Sequence, residues 1–159
     1  MWILKLVGTM MLVCSGFAAS YELNRRAVAA LRQNEGMMSL LRTVRGQIEC
    51  FARPISEILS ASDTRDLLAC GYFGEETPSD LLGLLSQCKV YDRATVKIVL
   101  QFAEEFGRGY REDEVRACDY VLSRLEERRV QMAAELPIKK KRNTALAVCA
   151  SLAIALFLL

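Results

Sequence analysis

Carboxylates and thiols are the reactive side chains of this chain, because it contains no histidine to serve as base or metal ligand. Acidic residues come in adjacent groups: Glu75/Glu76, Glu104/Glu105, Glu112/Asp113/Glu114 and Glu126/Glu127. Adjacent residues on a helix point about 100° apart, so such pairs form solvated faces and do not converge on one substrate. Six cysteines are present. Cys14 and Cys149 fall in apolar ends, while Cys50, Cys70, Cys88 and Cys118 stand singly with no CxxC pair. Zinc ligation is not expected from that spacing, and the thiols read as small buried apolar residues in a reducing compartment. Gly107-Arg108-Gly109 lacks the helix-opening glycine and lysine of a phosphate loop, and no serine sits in a nucleophile elbow. The expectation is a chain without catalytic residues, metal, cofactor or small-molecule substrate, and therefore not an enzyme.

One acidic group points to a contact surface. Glu104 and Glu105 close one predicted helix, and Glu112, Asp113 and Glu114 open the next. The helix dipole favours acids at a helix start, which accounts for the second set without any function, but disfavours them at a helix end. A basic partner would compensate the first set. Glu104, Glu105, Arg108, Tyr110 and Glu112 are the candidate partner-binding residues.

Both ends of the chain are apolar. Lys139, Lys140, Lys141 and Arg142 stand directly before residues 143–159, which carry no charge. A basic cluster against a terminal apolar helix marks a membrane edge, with the basic side retained in the cytoplasm. At ~1.5 Å per residue the terminal segment covers about 25 Å of a ~30 Å hydrocarbon core. Snorkelling lysines and local thinning absorb the difference. Residues 1–20 carry one charge, Lys5. They read either as a signal peptide cleaved near Ala18, Ala19 and Ser20 or as a retained transmembrane helix. Arg25, Arg26 and Arg32 follow closely and hold the downstream part in the cytoplasm, whereas export would put the second basic cluster on the wrong side. The retained helix is the expectation. Ser151 among Ala145, Ala147, Ala150 and Ala153 allows close packing of two spans or simply fills an apolar helix.

All 19 acidic residues lie within residues 22–138, so the middle is net acidic and the excess positive charge sits at the membrane edge. That distribution does not suit nucleic-acid binding. Apolar residues at three-and-four spacing make the middle all-α. Met37, Leu41, Val44, Ile48, Phe51 and Ile55 form one stripe, and Leu23, Ala27 and Leu31 extend it backwards. Gly36 and Gly46 are expected to weaken this helix, and Pro54 to interrupt it and start a new turn. Asp63 is expected to cap a short helix through Leu67 and Leu68, followed by a loop over residues 71–74. Thr77, Pro78 and Asp80 predict a helix start, with Leu81, Leu82, Leu84 and Leu85 making the helix a buried element. Asp92 is expected to cap the next helix, whose core face is Val96, Val99, Leu100, Ala103 and Phe106, with Gly107 and Gly109 ending it. The last helix carries Val115, Cys118, Leu122, Leu125, Met132 and Leu136 on one face, with Arg129 its charged member. Pro137 should break or kink it. The expected organisation is a transmembrane helix over residues 1–21, a cytosolic helical bundle over 22–138, a basic membrane-edge cluster over 139–142 and a second transmembrane helix over 143–159.

This arrangement resembles the stage III sporulation protein AB family of endospore-forming Firmicutes. The residues that carry the likeness are Gln47-Ile48, Pro54-Ile55 and Glu57, then Phe106-Gly107 at the close of a helix, then the basic, Thr-containing run over residues 139–144. Gln47 and Cys50 stand where the family has an acid and an aromatic, and Tyr110 and Glu114 where it has Asp and Gln. Members of the family have a membrane helix at each end of a cytosolic helical domain, which is similar to the cytosolic domain of type II secretion platform proteins. The resemblance implies an adaptor that docks a secretion ATPase, stage III sporulation protein AA, to the mother cell–forespore channel, beside other channel-complex membrane proteins. It also implies residence in the outer forespore membrane with the domain facing the mother cell. A second expectation, of a different class, is a small membrane-anchored regulator that captures a soluble factor through the seam of its last amphipathic helix. A third is an exported domain held only by its tail.

Overall fold

The computed structural model describes the backbone of residues 2–51 and 53–158; residues 1, 52 and 159, and the side chains of 2–6, 9, 12 and 155–158, lie outside the described part. The fold is all-α. Its elements are α1 (Trp2–Phe51), α2 (Ile55–Ala61), α3 (Thr64–Ala69), α4 (Leu81–Ser86), α5 (Arg93–Glu105) and α6 (Arg111–Leu158). Among the described residues the β pairing is a single antiparallel bridge between Tyr72 and Cys88. Two compact units emerge, one of Met1–Val28 with Ala133–Leu159 and one of Ala29–Met132, and α1 and α6 each contribute to both. Both helices run unbroken through residues 22 and 138.

Among the described residues no helix is long and apolar enough to cross a membrane. The spans expected over residues 1–21 and 143–159 take in residues outside the described part, and within it they are the ends of two much longer helices. Pro137 does not break α6. A proline removes one ladder bond, and here the turns on both sides continue.

In the unit Ala29–Met132 the core draws on every helix. Met37, Met38, Leu40 and Leu41 of α1 pack with Leu59, Leu67, Leu81 and Leu84 from the short helices, Val99 and Phe102 of α5, and Cys118, Val121 and Leu125 of α6. Met38 and Leu40 lie off the single stripe expected for α1, because the helix is covered from more than one side. On α5 the buried positions are Thr95, Val99, Phe102 and Ala103, so the face is rotated from the expected one and Leu100 is exposed. Phe51, expected in the stripe, is 64% exposed at the end of α1. Of the cysteines in the middle, Cys70 and Cys118 are buried, Cys88 is half-buried and Cys50 is exposed. Burial pushes the Cys70 and Cys118 thiols up to about 12, which disfavours the reactive thiolate form.

Local capping follows the sequence closely. Asp63 accepts a hydrogen bond from the Arg65 amide at 2.9 Å. Pro54 is the residue before α2, in extended conformation. The α4 start is a correction: Asp80, not Thr77, is the cap, accepting from the Gly83 amide at 2.6 Å, and the Thr77-Pro78 pair lies outside the helix. Pro78 is buried, and Leu82 is 41% exposed, so α4 is covered on one side only.

Gly36 has a different role from the one its type suggests. α1 runs through it unbroken. A Cβ there would stand 2.7 Å from the carbonyl carbon and oxygen of Ala69, so its absence lets the end of α3 lie directly on α1. Ala is the better helix former by about 1 kcal/mol, yet Gly36→Ala is expected to lower the thermal midpoint followed by circular dichroism in mild detergent. An equal or higher midpoint would mean that α3 can retreat at no cost.

Asp92 ties α5 to α6 while capping the first. It accepts from the Thr95 amide and hydroxyl at 2.9 Å each, and from Arg128 Nε at 3.0 Å and Nη2 at 2.7 Å. The Arg128 guanidinium, and then the Thr95 donors, hold its carboxyl down at about 2 against the opposing effect of burial. A carboxyl depressed in the folded state stabilises fully above its unfolded value, near 3.8, and loses that contribution as pH falls from there through about 2. Asp92→Asn should lower the thermal midpoint near neutrality and flatten its decline over that acid range; an unchanged decline would place the acid sensitivity elsewhere.

Candidate functional site

α1 and α6 run antiparallel in the unit Ala29–Met132. Arg45 forks onto Asp119, with Nε donating at 2.5 Å and Nη2 at 3.2 Å, and Asn34 Nδ2 donates to the Leu125 carbonyl at 3.0 Å. The end of α1 and the start of α6 therefore lie at one end of the unit. There a second apolar cluster of Val44, Ile48 and Ile58, with Ile55, Phe106 and Val115 against it, seats the α5–α6 turn. The Phe102 and Phe106 rings, 4.8 Å apart, anchor the turn from the α5 side. Gly107 takes a φ of 85°, a conformation that suits glycine and ends α5.

The five candidate partner-binding residues sit on this seated turn, and all five are exposed. Glu104 and Glu105 are the last residues of α5. The Tyr110 carbonyl accepts from the Asp113 and Glu114 amides at 2.9 and 3.0 Å, while its ring is 85% exposed. Glu112 lies in the first turn of α6. Among the described residues Glu104, Glu105, Arg108 and Glu112 form no ion pair, whereas Asp113 is answered by Arg116 at 3.8 Å. The turn thus presents unpaired charge beside an exposed tyrosine. The structure adds exposed Phe51, which the sequence placed in the apolar stripe, with the Arg53 guanidinium 5.5 Å from its ring centroid. The only signal for them was the break of helical pattern before Pro54.

A groove of about 490 Å³ runs between α5 and α6. Ile98, Phe102 and Val121 line its floor, Lys97, Gln101 and Glu105 one wall, and Tyr120, Arg124 and Gln131 the other. Glu105 therefore belongs to the groove as well as to the turn. Arg124 is answered on its own helix by Glu127 at 3.2 Å. Among the described residues no group of three His, Cys, Asp or Glu side chains is placed to hold a metal ion.

In the unit of Met1–Val28 with Ala133–Leu159, the two helix ends pair through small and polar side chains. Ser20 Oγ and Thr144 Oγ1 are 3.3 Å apart, and Asn143 Nδ2 donates to Asn24 Oδ1 at 3.1 Å. Ser20 and Ser151 are buried, and a Cβ on Gly16 would collide with Ser151 Oγ. The large apolar residues face outwards: Met10, Met11, Phe17 and Leu23 on α1, and Leu146, Leu152 and Ile154 on α6. The Asn24–Asn143 contact brings Arg25 and Arg26 to the level of Lys141 and Arg142. Lys139 is paired with Glu135 at 2.7 Å, and Arg25 and Arg26 with Glu22 at 3.1 and 3.0 Å; Lys140, Lys141 and Arg142 form no ion pair among the described residues. Comparison with family models, with curated proteins and with solved structures finds no match to this chain.

Proposed function

We propose that this protein is a membrane-anchored, non-enzymatic platform that docks a cytoplasmic secretion-type ATPase, the role implied by its resemblance to the stage III sporulation protein AB family. The observation that carries the membrane part is the inverted packing of the two paired helix ends. In water, large apolar side chains turn inwards and small polar ones outwards. Here Met11 is 71% and Leu146 62% exposed, while Gly16, Ser20 and Ser151 form the seam. That arrangement suits helices whose solvent is lipid, where small residues allow close approach and hydroxyls bond across the pair. Tyr21, 72% exposed, and the basic residues at the Asn24–Asn143 level suit an interface facing anionic headgroups on the cytoplasmic side. In a sporulating cell, this membrane would be the outer forespore membrane, with the other channel-complex proteins as neighbours and the domain facing the mother cell.

The acidic turn is the proposed dock. It is braced by its own apolar cluster, so it offers unpaired carboxylates and aromatic rings at little ordering cost. Motion would pass by contact, with no chemistry in this chain. The regulator alternative needs the seam of α6 to be free, but Cys118 and Leu125 are fully buried within their own unit.

Full-length protein is expected to stay with membranes through high salt and alkaline carbonate and to leave only in detergent. Release by carbonate would remove the anchoring. Glu104→Lys with Glu112→Lys should weaken pull-down of the co-expressed ATPase by about tenfold or more, a change of about 1.4 kcal/mol. Unchanged capture by a variant that is as helical as the wild type would displace the dock from this turn.

A further inference from the structure

Lys97, Gln101 and Glu105 follow one another at intervals of four on α5 and line the same wall of the α5–α6 groove. All three are exposed. Neither Lys97 nor Glu105 forms an ion pair among the described residues. Eight residues of helix set them about 12 Å apart, too far to satisfy each other. Read in the opposite direction, the same row is cation, amide, anion in mirrored order. A helix with that row is complementary to an antiparallel copy of itself.

We propose that the groove is the seat of a second copy of this chain, with the two α5 helices antiparallel and Gln101 at the two-fold axis. Lys97 of each copy then meets Glu105 of the other, and the two Gln101 amides, each both donor and acceptor, meet at the centre. The contact is isologous, so it closes at a dimer. The floor of Ile98, Phe102 and Val121 supplies apolar surface beneath the charged rim, and a neighbouring helix ridge suits a groove between two helices. Exposed ion pairs add little affinity, but like charges brought face to face are strongly disfavoured, so the charges set orientation and partner. The Asp92–Arg128 fork holds α6 against α5 and so keeps the groove formed. This inference does not depend on the ATPase or the membrane reading.

The test is sedimentation velocity of the full chain in mild detergent, with charge-swap variants. Wild type is expected to be a dimer that weakens with salt. Lys97→Glu and Glu105→Lys should each shift it to monomer, with a dissociation constant raised about tenfold or more. The double swap, and an equimolar mixture of the two single variants, should restore the dimer, because opposite charges then face each other again. Glu112→Lys, off the groove, should leave the dimer intact, which separates this contact from ATPase docking. With Cys14, Cys50 and Cys149 replaced by Ser, Gln101→Cys should cross-link the two copies under mild oxidation. A monomeric wild type, single variants that sediment like wild type, or a double swap that is monomeric yet as helical as wild type would overturn the proposal; the first would leave the groove to a helix of another protein.

Discussion

The register of α1 against α6 is the constraint on which the unit Ala29–Met132 depends, and one buried amide sets it. Asn34 is fully buried and donates to the Leu125 carbonyl at 3.0 Å. A polar side chain in an apolar interior is tolerated only where its partner stands, so sliding α1 by one turn would strand it. With that register fixed, Arg45 falls opposite Asp119, and Glu35 comes within 3.9 Å of Arg129. Arg129, the one charge on the apolar series of α6, is thereby answered from both helices, since Glu126 also accepts from it at 2.5 Å. The other end of the same amide, Asn34 Oδ1, has no hydrogen-bond partner among the described protein groups.

The short helices are held to α1 by contact with backbone rather than by long side chains. Gly36 admits Ala69, and Gln33 bridges the loop beyond it, donating to the Lys89 carbonyl at 2.6 Å and accepting from the Tyr91 amide at 3.1 Å. Those bonds fix the approach to Asp92, which starts α5 and reaches across to Arg128. The chain of constraints runs from α1 through the loop to α5 and on to α6, and the groove lies between the last two.

Charge is divided by the same geometry. Side chains that lie between helices are paired, as in Arg45 with Asp119 and Asp92 with Arg128. Glu104, Glu105, Arg108 and Glu112 at the α5–α6 turn and Lys97 on the outer row of α5 form no ion pair among the described residues. Exposed unpaired charge costs little in water, so its position carries information about partners only when the backbone beneath it is rigid. Phe106 and Val115, packed on Val44 and Ile48, supply that rigidity at the turn.

Helix type and the caps of α3 and α5 were legible in the sequence, because they depend on neighbours a few residues apart, whereas the α4 cap fell at Asp80 and not at Thr77. Asp63 and Asp92 cap as their position before an apolar run predicts, and Gly107 ends α5. The alternating face of α6 was legible in part: Cys118, Leu125 and Met132 are buried, Val115, Leu122 and Leu136 are half-buried, and Val121, outside the expected series, is buried. Continuity was not. Gly36, Gly46 and Pro137 each carry a local penalty, and only packing and the adjacent turns decide that α1 and α6 run through them. Nor could spacing say that Phe51 leaves the core where its helix ends, that Asn34 is buried, or that Gly16 meets Ser151. Each of those depends on which segment, distant in sequence, arrives alongside, and that is fixed by tertiary packing alone.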